Sequence, residues 1–363
     1  MRLAGLRLYR YDLPLTGPLE LKLTTLRRRE GLLVELVGDG GAAGWGEAAP
    51  LPGFSREGTD DAVRQLRGLA ASMVGRELTD DWVDPDGELR RELDAMGLFP
   101  SARCGLELAL WNLCAAWRGR PLPELVAPRP RASVPVSALI SSPGHAVEEA
   151  HLARAAGYEA VKLKVGGRGI EEDAELARAV REALGGAVAL RLDANRAWGF
   201  EEAEEFARAT ADLSFEYVEE PLADPARLPL LARRHGLPVA LDESLSETEP
   251  EELEKHGYAR AVVLKPTLLG GMTRTLRFAR VASRLGARPV LSSAYETGVG
   301  TSGLVALAAG IGDEEVPAGL DTYRRLAGDV FEPPLELPAP RVDVRALFEG
   351  RREIERRLLF PVG

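Results

Sequence analysis

From residue 133 to about residue 321, short apolar strands alternate with segments of helical periodicity. The helical segments, such as GIEEDAELARAVREAL and GFEEAEEFARATADL, repeat their apolar residues with the helical period. The strand-like stretches are SVPVSAL, EAVKLKV, AVALRLDAN, FEYVEEP, LPVALDES, RAVVLKP, ARPVLSS and VPAGLD. Eight parallel strands with intervening helices predict an α/β barrel of the TIM type. A doubly wound open sheet is the alternative, disfavoured because no G-x-G-x-x-G follows an early strand.

The residues before the barrel have a different order of strand-like and helix-like segments. LRLYRYDLPL, EGLLVELVGDG and GAAGWGEAAP are typical of strands, and the helical stretches REGTDDAVRQLRGLAASMVG and SARCGLELALWNLCAAWRG follow, the second with Ser101 as predicted N-cap. Strands followed by helices indicate an α+β domain. We predict this domain over residues 1–128, the barrel over 129–327, and a Pro-rich segment over 328–363 that packs back on the first domain.

Composition narrows the class of partner. The net charge of −10, with no basic block to offset it, argues against nucleic acid, and the run Arg27–Arg29 is interpreted as part of a solvated face. No apolar run approaches the ~20 residues that span a bilayer. MRLAGLRLYRYDLPL lacks the pattern of a signal peptide, so a cytoplasmic protein is expected. Cys104 and Cys114 are too few for a zinc site and are expected to be buried small hydrophobes.

Polar residues end the barrel strands after the first, where an apolar residue would be the default. In order they are Lys164, Asp193, Glu219, Asp242, Lys265, Ser293 and Asp321. Successive intervals are 29, 26, 23, 23, 28 and 28 residues, one strand–helix unit each. Equivalent strand ends converge at the C-terminal mouth of a barrel, where active sites of this fold lie. The pattern therefore predicts a shared site at that mouth.

Three neighbouring strands end in carboxylates: Asp193, Glu219 and Asp242. Without a cation these groups would repel one another. Oxygen ligands on a rigid frame suit Mg²⁺, which keeps positions open for water or substrate. Pairing of the same acids with arginines at the barrel rim is the structural alternative.

Lysine is rare in this chain: it supplies five of the 46 basic residues, and the others are arginine. Lys162 and Lys164 share one face of an apolar strand, because strand side chains alternate. Lys265 ends the sixth strand, on the other side of the three acids. A lysine that is partly desolvated near other cations has a lowered pKa and can act as a base, a task that arginine cannot perform.

These motifs resemble the enolase superfamily, specifically its muconate-lactonizing subgroup. The resemblance rests on KLKVG, RLDANRAW, YVEEP, ALDESL and VVLKPTLLGG. It implies a modified (β/α)7β barrel, an α+β capping domain and one Mg²⁺, with Mn²⁺ as a possible substitute. It also implies metal ligands at Asp193, Glu219 and Asp242, and supporting roles for Glu220 and Glu243.

Within that subgroup, GWGEAAPLPGFSRE, SSAYETGVG and GLDT resemble the o-succinylbenzoate synthase family. The resemblance runs from about Gly44 to Tyr323. It implies syn-dehydration of 2-succinyl-6-hydroxy-2,4-cyclohexadiene-1-carboxylate to 2-succinylbenzoate in menaquinone synthesis, through an enediolate. In that reaction Lys164 would remove the proton, Lys265 would stabilise the enediolate, and Lys162 would tune Lys164.

Further residues are candidates for contact with a small carboxylate substrate. Arg191 and Asn195 flank Asp193 by two residues, although a rim arginine is an equal interpretation of Arg191. Loop LPGFS offers Phe54 as an apolar wall, with interdomain packing as the alternative, and residues 15–25 are a second candidate lid. The other candidates lie at the ends of the last two strands: Ser292, Ser293, Gly298 and Asp321. A helix beginning near Gly300 could add backbone donors.

Alternatives within the superfamily are N-succinylamino acid racemase, dipeptide epimerase and muconate cycloisomerase. Both lysines are present, so the catalytic residues do not exclude racemisation. Dipeptide epimerases usually carry Asp-x-Asp at the eighth strand, whereas Tyr323 lies two residues after Asp321 here. A metal-independent Schiff-base aldolase or a non-enzymatic barrel leaves the three acids unexplained. Oligomeric state stays open, including a homo-oligomer.

Overall fold

The computed structural model describes residues 1–21, 24–140, 142–312, 315–350 and 352–362, without the side chains at positions 80 and 81. The strands in chain order are β1 (Leu3–Glu20), β2 (Thr25–Gly38), β3 (Ala43–Ala48), β4 (Ser133–Pro135), β5 (Ala138–Ile140), β6 (Ala160–Lys164), β7 (Ala189–Asp193), β8 (Tyr217–Glu219), β9 (Val239–Leu241), β10 (Ala261–Leu264), β11 (Arg288–Leu291), β12 (Phe331–Glu332), β13 (Arg341–Asp343), β14 (Glu353–Ile354) and β15 (Leu359–Pro361). The helices are α1 (Thr59–Met73), α2 (Glu88–Ala95), α3 (Pro100–Arg118), α4 (Leu122–Val126), α5 (Ala146–Ala155), α6 (Ile170–Leu184), α7 (Phe200–Ala209), α8 (Leu228–His235), α9 (Pro266–Leu269), α10 (Met272–Arg284), α11 (Gly298–Gly310) and α12 (Val344–Glu349).

An antiparallel sheet in the order β15–β1–β2–β3 organises the first part of the chain. The predicted strands and both predicted helices are present. The C-terminal segment returns to this sheet as predicted, because β15 pairs with β1 and places Pro361 opposite Tyr9. The predicted N-cap at Ser101 is wrong: α3 begins at Pro100 after Phe99. Ser101 lies in the first turn, where its amide and hydroxyl donate to Glu57 Oε1 at 2.9 and 2.6 Å.

Helix α3 lies close to strand β3 because glycine faces it. A Cβ at Gly46 would lie 2.0 Å from the carbonyl oxygen of Gly105 and 2.5 Å from the amide nitrogen of Ala109. No side-chain rotation relieves a clash with helix backbone, so we expect Gly46→Ala to lower the free energy of unfolding by at least about 2 kcal/mol. Gly40→Ala is the control, because a Cβ there meets nothing within 4 Å. Equal urea midpoints for the two variants would contradict this packing.

The second part of the chain is a parallel barrel. Strands β5 to β11 pair side by side in chain order. Ala318 and Gly319 occupy the eighth position, forming parallel bridges with Val136 and Ser292. The amide of Gly319 donates to the carbonyl of Leu291 at 2.8 Å, which closes the ring. The predicted (β/α) barrel is confirmed.

The first predicted barrel strand, SVPVSAL, is divided in two. Its second half forms β5 and pairs in parallel with β6. Its first half, β4, pairs antiparallel with β13, with Val134 opposite Val342. One short stretch therefore serves both the barrel and the C-terminal segment.

Burial confirms one compositional expectation and corrects another. Cys104 and Cys114 are buried in the interior, as predicted. The run Arg27–Arg29 is not wholly solvated: Arg29 is 1% exposed. Its neighbours in sequence point the other way because strand side chains alternate. Within the described ranges, no helix combines the length and apolarity needed to cross a bilayer.

Candidate active site

A cleft of about 670 Å³ lies at the C-terminal ends of the barrel strands. Most of the residues that the strand-end pattern and the motifs predicted for the site line it: Phe54, Lys162, Lys164, Asp193, Asn195, Lys265, Ser292, Ser293 and Asp321. The convergence follows from register, since Lys164 pairs with Asp193, which pairs with Glu219 on the next strand. Residues in register project from the same face of a parallel sheet.

Two of the three strand lysines lie against carboxylates. The Nζ atom of Lys162 lies 2.8 Å from Asp193 Oδ2 and 2.9 Å from Glu219 Oε1. Lys265 donates a short hydrogen bond to Asp242. In the described residues, the Lys164 ammonium makes no ion pair, and the side chain is exposed to the cleft. The lysine assigned to proton transfer is thus the one whose ammonium is not held by an acid.

These surroundings separate the pKa values of the three lysines. Burial lowers the pKa of Lys164, and the charges of Lys162 and Lys265 lower it further against the attraction of Asp193. Burial also opposes ionisation of Lys162, yet Asp193 and Glu219 raise its pKa well above the usual value. Burial also lowers the pKa of Lys265, but the charge of Asp242 outweighs this effect and raises the pKa above the usual value. Lys164 therefore loses its proton more readily than an ordinary lysine, whereas Lys162 and Lys265 hold theirs more tightly.

The pKa values of the buried acids are shifted in different directions. Burial opposes ionisation of Asp193, but Lys162 and Lys164 hold its pKa below the usual value. Burial raises the pKa of Glu219, and the negative charge of Asp193 raises it further. Among the described residues, none donates a hydrogen bond to the buried Oε2 of Glu219. Burial and the charge of Asp242 raise the pKa of Glu243 to about 7.

The fit of these residues to a divalent cation depends on where their carboxylates lie and on the atoms they offer. Across the described parts of the chain, no three His, Cys, Asp or Glu side chains form a ready metal-holding cluster, so the expected meeting of three carboxylates is not seen. Lys162 and Lys265 instead lie against these acids. The donor set still fits, because every acid offers oxygen, the ligand that Mg²⁺ prefers. Glu219 Oε2, which accepts no hydrogen bond within the described residues, is an oxygen donor that a cation could use.

Glu220 supports the loop that carries Asp242. Its carboxylate accepts from the amides of Asp242 and Ser244 at 3.0 and 2.8 Å, and from Arg196 Nε at 3.0 Å. Its backbone is left-handed, with φ of 39°. A left-handed conformation is costly for a residue with a side chain and persists where the surroundings enforce it.

Asn195 and Glu243 meet beside the acids. The amide Nδ2 of Asn195 donates to Glu243 Oε1 at 3.3 Å, and the backbone amide of Asn195 donates to Asp193 Oδ1 at 3.1 Å. Asn195 also has a left-handed backbone, with φ of 44°. Asparagine tolerates this conformation better than most residues, so this position suits the residue that occupies it.

Apolar residues from the first domain cover the mouth of the cleft. The ring of Phe54 lies 5.9 Å from Lys265 Nζ. Leu15, Leu19 and Leu21, from the second candidate lid, pack in the same cluster as Phe54 and Tyr295. Positions 22 and 23 of that lid lie outside the described residues.

Two family models match the chain. The model for the MenC N-terminal domain matches residues 1–113, and the enolase C-terminal domain-like model matches residues 145–347. The o-succinylbenzoate synthase of Pasteurella multocida is 31% identical over 347 residues, which are 93% of this chain and 95% of that protein. The chain belongs to the o-succinylbenzoate synthase family.

The chain is also similar to a plant protein. The chloroplastic protein PHYLLO of Arabidopsis thaliana is 34% identical over 339 residues, or 84% of this chain. The chain spans 20% of the length of PHYLLO.

Solved structures confirm the modified barrel and its cap. An N-succinyl Arg/Lys racemase from Bacillus cereus matches with a TM-score of 0.87 over 100% of both chains, at 21% identity. A dipeptide epimerase from Methylococcus capsulatus, solved with Mg and the dipeptide L-Arg-D-Lys, matches with a TM-score of 0.80 at 26% identity, covering 95% of this chain and 97% of that chain. The first shows the fold alone, and the second shows that a structural neighbour of the o-succinylbenzoate synthase family was solved with Mg.

The structure corrects two predicted substrate contacts. Arg191 does not line the cleft: its guanidinium donates to Glu216 Oε2 at 2.6 Å and to the carbonyl of Pro317 at 2.7 Å. Both partners precede their barrel strands, so this side chain points toward the opposite end of the barrel. The amide of Gly298 donates to Asp329 Oδ1 at 2.7 Å and is not free for a substrate.

The helix that begins at Gly298 is also engaged elsewhere. The amides of Thr297 and Gly300 donate to the Glu47 carboxylate at 3.0 and 2.8 Å. Burial raises the pKa of Glu47, although its bonds to Thr297 oppose this effect. The positive end of α11 is thus neutralised by an acid from the first domain, and the expected backbone donors near Gly300 are occupied.

Leu21 and Leu51 line the cleft from the two predicted lids, but sequence reasoning missed its other residues: Ser137, Ala138, Leu139, Ala294, Tyr295, Gly319 and Thr322. Small and apolar residues outside the strand-end pattern give no chemical signal. Tyr295 lies within the quoted motif SSAYETGVG, and only its left-handed backbone, with φ of 63°, marks it in the structure. The hydroxyl of Thr322 is buried without a hydrogen-bond partner.

Proposed function

We propose that this chain catalyses the Mg²⁺-dependent syn-dehydration of 2-succinyl-6-hydroxy-2,4-cyclohexadiene-1-carboxylate to 2-succinylbenzoate, in menaquinone biosynthesis. The observation that carries the proposal is the similarity to o-succinylbenzoate synthases along nearly the whole length of both proteins. The cleft suits this substrate, because a carboxylate end and a hydrocarbon ring need the polar and apolar walls that it combines.

Asp193, Glu219 and Asp242 are proposed to hold Mg²⁺, with Glu220 and Glu243 as their supports. This assignment is favoured by Glu219 Oε2, a buried oxygen that accepts no hydrogen bond within the described residues. When bound, Mg²⁺ would supply Lewis-acid stabilisation of negative charge on the substrate carboxylate.

Lys164 is proposed as the base and then the acid of the elimination. Its lowered pKa favours the neutral amine, which takes the proton from the carbon next to the carboxylate. The resulting ammonium gives the same proton to the departing hydroxyl on the same face. Water leaves, the ring becomes aromatic, and Lys164 returns to its neutral form.

The other lysines act without losing their protons. Lys265 stays cationic and stabilises the electrons that the broken C–H bond releases toward the carboxylate. The charge of Lys162 lowers the pKa of Lys164. Phe54 and Leu51 cover the cleft from the first domain and exclude water. Asn195, Ser292, Ser293 and Asp321 are proposed to contact the substrate.

A paired assay tests the proposed function. The purified protein with Mg²⁺ is given the cyclohexadiene substrate and, separately, an N-succinylamino acid. We expect rapid formation of 2-succinylbenzoate from the first. Racemisation of the second with no turnover of the first would overturn the proposal. That rival is kept because the two lysines, on β6 and after β10, allow proton transfer on both faces.

Other features stay predictions. They are replacement of Mg²⁺ by Mn²⁺, the cytoplasmic location, self-association, and the boundaries at residues 128 and 327.

A further inference from the structure

Arg29 is a buried cation held by backbone carbonyls. Its guanidinium donates to the carbonyl oxygens of Ala49 at 2.5 Å and Pro50 at 2.8 Å. It also donates to Ala294 at 3.2 Å and Tyr295 at 3.0 Å. In the described parts of the chain, no carboxylate forms an ion pair with it. A buried guanidinium that makes this many bonds to fixed carbonyls is rigidly placed, because its planar fork has one orientation that satisfies them.

These four carbonyls belong to two segments that come from different domains, and a fifth carbonyl, that of the adjacent Glu30, accepts from Nη1 at 3.0 Å. Ala49 and Pro50 lead directly into the loop that carries Leu51 and Phe54. Ala294 and Tyr295 belong to the loop after β11. Both loops line the cleft on its apolar side, so Arg29 joins the two apolar walls from behind.

The loop after β11 needs such support because it is held in an unfavourable conformation. Tyr295 has a left-handed backbone, and its amide donates to Ser293 Oγ at 3.0 Å. Glu296 accepts from Ser293 Oγ at 2.7 Å and from the amide of Ala294 at 2.6 Å. These bonds order the loop within itself, whereas Arg29, together with the bonds from Thr297 to Glu47, ties it to the first domain.

We propose that Arg29 is a positioning residue that sets the separation of the two apolar walls and thereby the fit of the substrate's hydrocarbon part. This inference rests on the proposed function. Arg29 makes no hydrogen bond or ion pair with Lys162, Lys164 or Lys265, which lie on or directly after barrel strands. Its loss therefore weakens substrate binding more than it slows the proton transfer.

Arg29→Lys tests the proposal, since it keeps the charge and removes the fork. We expect KM to rise between about 10-fold and 100-fold while kcat changes by less than about threefold. Arg28→Lys is the matched control, because Arg28 is the preceding residue of β2, its side chain is 52% exposed, and it pairs with Asp12. Arg29→Gln, which buries no charge, replaces Arg29→Lys if the latter does not accumulate as folded protein.

A double variant separates positioning from a general structural role. If Arg29 acts through the loop that carries Leu51 and Phe54, the double variant Arg29→Lys, Phe54→Ala should raise KM by less than the product of the two single increases. Each of three results would overturn the proposal. They are an unchanged KM in the Arg29 variants, a fall in kcat as large as the rise in KM, and a rise in KM in the double variant equal to the product of the two single increases.

Hydrogen exchange gives a readout that needs no substrate. We expect Arg29→Lys to raise amide exchange in residues 49–55 and 293–297 together, with α6 and α7 unchanged. This result would stand even if the paired assay overturned the proposed function. Unaltered exchange in either loop would remove the structural basis of the inference.

Discussion

Replacing Lys164 by alanine is expected to lower kcat/KM at least about 10³-fold without lowering the melting temperature. The loss follows from removal of the group that carries the proton in both halves of the elimination. Stability should not fall, because the Lys164 ammonium makes no ion pair in the described structure and its charge is partly desolvated. Steady-state kinetics and thermal unfolding measure the two effects.

Lys255→Ala is the matched control for this variant. Lys255 is an exposed lysine paired with Glu252, remote from the cleft, so its removal should leave kcat/KM within about twofold of the parent value. Lys162→Ala should retain more activity than Lys164→Ala, since Lys162 only tunes the base. If Lys162→Ala were as inactive, while Lys164→Ala still exchanged the substrate's proton with solvent, the two roles would be reversed.

Glu219→Gln is expected to have opposite effects on stability and on metal response. In the metal-free protein it should raise the melting temperature, because burial and the neighbouring Asp193 both oppose a negative charge on Glu219, and Lys162 keeps its ion pair with Asp193 in the variant. In the parent protein, Mg²⁺ at 100 times its dissociation constant should add about 2.7 kcal/mol of stability. This gain should disappear in the variant, together with activity.

Thermal unfolding with and without Mg²⁺ tests both effects. Glu252→Gln provides the control, because its carboxylate is exposed and pairs with Lys255 at the surface. That variant should keep the full Mg²⁺ response. A Glu219→Gln protein that is less stable without metal, or that still gains stability from Mg²⁺, would contradict the assignment of Glu219 as a ligand.

The barrel and the centre of the site could be predicted because their signals are local and repeated. Each strand is an apolar stretch of a few residues, and each unit ends in a polar residue at nearly the same interval. A parallel barrel turns this one-dimensional spacing into proximity, so Lys164, Asp193 and Lys265 could be placed together from sequence. The separation of the lysine pKa values could not be predicted in this way: Lys162 and Lys164 lie on the same strand, and only the structure shows that Lys162 contacts Asp193 and Glu219.

Long-range burial could not be predicted in this way. Arg29 follows two exposed-looking arginines, and its partner Tyr295 lies 266 residues further along the chain. Gly298 lies at the start of a helix, where a backbone amide can bind a substrate, but its amide donates to Asp329 instead. Arg191 lies on the same face of the strand as Asp193, yet its long side chain extends toward the opposite end of the barrel, where it binds Glu216. In each case the partner is set by how distant elements pack.

The pairing of β15 with β1 has a consequence for synthesis of the chain on the ribosome. Strand β1 is made before the barrel, whereas β15, which pairs with residues 9–11 at its edge, is made after the barrel. At about 5–20 residues per second, the interval is on the order of tens of seconds. During that time β1 presents an open edge to other nascent chains, so aggregation during translation should depend on how fast the final residues are made.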